Sequence, residues 1–117
     1  MQALIWNELI EEEYEKAIAY MEEHCKPSMF KEIYWLEIPE NLLTPTQKEH
    51  KACQPLVAAF ELGELNIKLE LLVRTLNSLR CHCTAMASKE QREFLLNFWD
   101  KLIETCQLKK KEKGNGY

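Results

Sequence analysis

Leu65, Leu69, Leu72, Val73, Leu76 and Leu79 recur at intervals of three and four residues. That spacing lays side chains along one face of an α-helix. Nothing else in the chain is as regular, so this segment sets the expected fold. Ile67, Leu69 and Leu71 also alternate, as they would along a strand. The longer period persists over the whole segment and leucine outnumbers β-branched residues, which favours a helix over residues 64–80.

The same period recurs on either side. Trp6, Ile10, Tyr14, Ala17, Ile18, Met21 and Cys25 mark an amphipathic helix over residues 4–25, with glutamates on its other face and Pro27 as its stop. Thr44 and Pro45 carry a capping hydroxyl and a first-turn proline. They open a helix over 45–62 whose stripe is His50, Cys53, Leu56, Val57 and Phe60, and Gly63 ends it. Pro55 falls inside that helix, where it lacks an N–H and crowds the Lys51 carbonyl, so a kink is expected there. Cys81–Ala87 reads as a loop or a fraying helix end. Ser88 and Gln91 have the spacing of a capping box. They open a last helix over 88–108, with Leu95, Phe98, Trp99, Leu102, Ile103 and Cys106 facing inward.

The expected architecture is therefore all-α: a compact four-helix bundle forming one domain over residues 1–108, followed by a lysine-rich flexible tail at 109–117. Residues 31–38 stand apart. Ile33, Tyr34, Trp35, Leu36 and Ile38 suit a short extended segment, with a helical turn as the alternative. Only Asn66–Val73 offers another strand-like stretch to pair with it.

Composition narrows the function classes. A chain of 117 residues, 46% hydrophobic and 29% charged, buries a core without needing metal or disulfides. A net charge of -4 argues against nucleic-acid binding, which needs a basic face. No apolar run is long enough to cross a bilayer, and no basic leader precedes Glu8, so a cytoplasmic protein with reduced cysteines is expected. The five cysteines are an odd number for an internal disulfide framework. No glycine-rich phosphate loop, Glu-x-x-His pair or zinc-deaminase pattern is present.

One chemical pattern stands out. Each of the three histidines lies within three residues of a cysteine: His24 with Cys25, His50 with Cys53, and His82 between Cys81 and Cys83. Thiolate and imidazole are the donors that suit soft and borderline metals. A short connection at Gly63 makes its flanking elements antiparallel. The start of the one then lies beside the end of the other, which brings His50 and Cys53 to Cys81 and Cys83. Those four are the candidate zinc ligands, with Cys25, His24 and His82 as alternates. Cys53 and Cys106 also fit as plain core residues, since buried cysteine packs as a small hydrophobe. Cys83, just before a helix start, could instead be a redox or nucleophilic thiol.

The leading expectation is a non-enzymatic protein-interaction module that forms a homodimer or binds another protein. Tyr34, Trp35 and Leu36 are its candidate contact residues, because consecutive residues of an extended segment cannot all face one core. A zinc-binding or thiol-sensing protein is the alternative.

Overall fold

The computed structural model describes residues 2–76 and 82–109. It overturns the four-helix bundle: the chain is a mixed α/β fold built on a seven-stranded antiparallel sheet. The strands are β1 (Ala3–Trp6), β2 (Lys26–Pro27), β3 (Ile33–Glu37), β4 (Leu56–Gly63), β5 (Asn66–Glu70), β6 (Leu72–Thr75) and β7 (Ala85–Met86). The helices among the described residues are α1 (Glu11–His24), α2 (Pro45–Glu49) and α3 (Lys89–Cys106). The sheet runs β1-β5-β4-β3-β2, and β6 joins β4 to β7.

The helix expected over 4–25 starts only at Glu11, because Ala3–Trp6 pairs with β5. The helix expected over 45–62 stops at Glu49. A 3-10 turn at Lys51–Cys53 follows, and Pro55, joined to Gln54 by a cis peptide, stands before β4 with no helix to kink. The run Leu56–Phe60 is buried at every position. An amphipathic helix would have exposed part of it, whereas a central strand can be covered on both faces. The helix expected over 64–80 gives way to β5 and β6. Ile67, Leu69, Leu71 and Val73 are buried, while Leu72 is only half-buried and Leu76 is 45% exposed. The residues that made the pattern helical are thus the ones left outside. Residues 31–38 contain β3, which pairs with β4 and not with Asn66–Val73. Residues 110–117, most of the expected tail, lie outside the described residues.

Alternation sorts the sheet into two faces. Tyr34 and Leu36 on β3, Ala58, Phe60 and Leu62 on β4, and Ile67 and Leu69 on β5 are buried and share one face. The long helices cover that face. Phe60 lies parallel to Trp99 of α3 at 6.3 Å, and Phe98 of α3 meets both Phe60 and Tyr20 of α1 at 5.6 Å. Offset and edge-on contacts of this kind add to the area they bury. The other face carries Ile5, Ile33, Trp35, Glu61 and Lys68, with the small residues Val57 and Ala59 buried between larger neighbours.

Helix α1 starts without a capping hydroxyl. Glu13 takes over, accepting the Ile10 N–H with one carboxylate oxygen and the Lys109 N–H with the other. These two bonds let a glutamate sit at 5% exposure. The helices expected over 88–108 and from Thr44 start as anticipated, each with a capping box. No helix among the described residues is long and apolar enough to cross a membrane.

Adjacent residues on β4 should therefore respond very differently to truncation. Phe60→Ala should lower unfolding free energy by about 3–5 kcal/mol. Glu61→Ala, on the open face, should stay within about 0.5 kcal/mol of the parent. Urea denaturation of the two variants checks this.

Candidate metal centre

The turn between β4 and β5 is short. Gly63 pairs with Asn66, and Leu65 turns the chain with a φ of 56°. A Cβ at Gly63 would come within 2.6 Å of the Asn66 side-chain amide, so a larger residue there requires that side chain to move. β5 and β6 then run back along β4 as far as Leu56, which pairs with Thr75. The chain before β4 and the chain after β6 are thereby brought to one end of the sheet. That is the convergence expected from the fold-back at Gly63, achieved by strands.

At that end His50, Cys53 and Cys83 come together. Their donor atoms all lie within 4.8 Å of one another. His50 Nδ1 is 3.4 Å from Cys83 Sγ. The two cysteines are buried and His50 is exposed, so the imidazole forms the solvent edge of the cluster. Bond lengths of about 2.3 Å for zinc–sulfur and 2.0–2.1 Å for zinc–nitrogen, at the tetrahedral angle, put sulfur and nitrogen roughly 3.6 Å apart. The His50–Cys83 separation matches that requirement closely.

Hydrogen bonds fix each donor-bearing segment. The 3-10 turn closes with Cys53 N–H donating to the His50 carbonyl at 2.9 Å. Thr75 acts on both sides of the cluster. Its hydroxyl donates to the Cys53 carbonyl, and its N–H donates to the hydroxyl of Thr84, next to Cys83. Gln47, at 2% exposure, donates from Nε2 to the Cys83 carbonyl at 2.8 Å. Its Oε1 accepts the Thr44 N–H and a bond from Gln91 Nε2. Gln91, at 0% exposure, also donates to the Leu42 carbonyl and accepts the Ser88 N–H. Both glutamines occupy the third position of a capping box, so the starts of α2 and α3 are joined through two buried amides. Leaving either amide unsatisfied would cost about 1–3 kcal/mol.

The remaining candidates go elsewhere or lie outside. Cys81 falls outside the described residues. His82 is exposed and takes no part in the group. His24 lies beside Tyr20, with ring centroids 4.2 Å apart and planes tilted by 39°, and its Nε2 is 3.8 Å from Glu23. Cys25 is buried against Met21, and burial pushes its thiol from 9.0 up to about 12. Cys106 donates to the Lys16 carbonyl of α1. Burial raises its thiol too, with Lys16 pulling the other way. Tyr34 and Leu36 point into the core, and of that trio Trp35 alone lies on the open sheet face. Gln47, Gln91 and Thr75 were not among the sequence candidates. The Thr44-x-x-Gln47 and Ser88-x-x-Gln91 spacings were the available signal for the glutamines; Thr75 had none.

Comparison with family models, curated proteins and solved structures finds no match to this chain.

Cys25 should be slow to alkylate. At pH 8, a thiol raised from 9.0 to about 12 carries roughly a thousandfold less thiolate. Iodoacetamide should therefore label Cys25 in the folded protein at least that much more slowly than in urea. Equal rates, read by peptide mass spectrometry, would contradict the buried position.

Proposed function

We propose that the protein binds a single zinc-like divalent cation through His50, Cys53 and Cys83. The observation that supports this reading is the convergence of one imidazole and two thiols, from separate stretches of chain, within 4.8 Å. Two sulfurs and a nitrogen are a donor set for a borderline cation such as zinc, and they disfavour magnesium or calcium, which prefer oxygen. The anchored carbonyls of Cys53 and Cys83 favour it further, since bonds from outside the ligand shell orient a metal's donors. Among the described residues these side chains supply three donors. One tetrahedral position is then left for water or another group. The core is substantial without an ion, so the metal serves function or local order and is not a condition for folding.

Protein purified without chelators should carry one zinc per chain by elemental analysis. Cobalt loading should give thiolate-to-cobalt charge-transfer absorption. C53S, C83S and H50A should each weaken binding by on the order of 100-fold or more. Cobalt spectra showing only oxygen and nitrogen donors would contradict the proposal.

Association with a second copy is a secondary proposal. It draws on Trp35, which is half-buried on the sheet face opposite α1 and α3, on the same strand and face as Ile33. A concentration-dependent dimer in sedimentation velocity, lost in W35A, would support it. A monomer at every concentration would contradict it.

A further inference from the structure

The two sulfurs of the cluster have a chemistry that needs no metal. Cys53 and Cys83 are thirty residues apart in sequence, yet their Sγ atoms lie within 4.8 Å of each other. A disulfide bond is about 2.05 Å long, so closure asks each sulfur to advance by at most roughly 1.4 Å. Both backbones are held in place, Cys53 by the Thr75 hydroxyl and Cys83 by the Gln47 amide. Side-chain rotation is the movement left to make the approach. Cys25 and Cys106 lie in other parts of the core, against Met21 and the Lys16 carbonyl, and are not members of this group.

From this placement we infer that Cys53 and Cys83 form a hydroperoxide-reducing dithiol. In the first step one thiol sulfur attacks the peroxide O–O bond. An S–O bond forms and the O–O bond breaks. The leaving oxygen takes the thiol proton and departs as an alcohol, or as water when the reactant is hydrogen peroxide, leaving a sulfenic acid. In the second step the other thiol sulfur attacks the sulfenic sulfur. The S–S bond forms, the S–O bond breaks, and the hydroxyl departs as water with the second thiol's proton. The two sulfurs supply the two electrons that reduce the peroxide. An external dithiol reductant reopens the bond.

Burial sets the substrate class. Cys53 is 4% and Cys83 is 0% exposed, so the reactant must be small. Hydrogen peroxide fits this limit and a bulky aromatic hydroperoxide does not. In zinc-loaded protein, closure takes two donors from the cation and releases it. That half of the inference rests on the zinc reading, whereas bond formation rests on the sulfur geometry alone.

Mass spectrometry of the full-length folded chain tests it. Cys81 shares its tryptic peptide, residues 81–89, with Cys83, so the map is read on C81S. Hydrogen peroxide should remove two hydrogens from the intact mass and link peptide 52–68 to peptide 81–89. Cumene hydroperoxide should leave the mass unchanged over the same time. Adding C53S or C83S should abolish the link. Zinc-free protein kept in chelator should still form the link, which separates the two chemistries. Folded C81S that gives no linked peptide, or only sulfinic and sulfonic acids, would overturn the inference even if zinc binds. A linked peptide in a chain that never binds zinc would support the dithiol and remove the zinc reading.

Discussion

Antiparallel pairing between β4 and the β5–β6 arm is the interaction on which the rest depends. Leu62 faces Ile67 and Gly63 faces Asn66 at the turn, and Leu56 faces Thr75 at the far end. This ladder pairs Leu56, Val57 and Phe60 of the buried run on one side, and β3 pairs Val57 through Phe60 on the other. A backbone with so little access to water needs both. The same ladder turns a separation of thirty residues into a contact, because a strand that returns beside its neighbour brings both flanks to one end.

The flanks are then locked by polar groups that are buried and satisfied. Thr75 lies within the ladder and bonds toward both cysteine segments. Gln47 and Gln91 do the equivalent for the helices, each closing its own cap and bonding to the other. Networks of this kind favour one arrangement over near alternatives because each unmet bond is costly in a low-dielectric interior. Cys83 is thus held from the α2 side and Cys53 from the β6 side, and the site inherits its order from the sheet and from two helix starts together.

Parts of this were legible in the residues. The Ser88–Gln91 box located the start of α3, and the apolar and aromatic types of residues 31–38 suited a short extended segment, with a helical turn as the alternative; β3 lies there. The fold-back at Gly63 and the meeting of His50 and Cys53 with Cys83 also followed from sequence, although the elements on either side were misread. The cause is geometric. Residues four apart share a face in a helix and also in a strand, so Leu65, Leu69 and Val73 fit both. Only the three-residue steps to Leu72 and Leu76 distinguish them, and these two leucines are the ones the sheet leaves half-buried or exposed. Around Phe60 the difficulty was the reverse. A run buried on both faces has no period to read, and strand propensity yields to context. Glu13 shows a similar limit: its burial follows from the backbone N–H groups of Ile10 and Lys109, and the second is far away in sequence.

X-ray absorption at the zinc edge, on protein loaded with one equivalent, tests the central claim most directly. The first shell should contain sulfur at about 2.3 Å together with imidazole nitrogen at about 2.0–2.1 Å. A shell of oxygen and nitrogen alone, unchanged when Cys53 and Cys83 are replaced by serine, would contradict it.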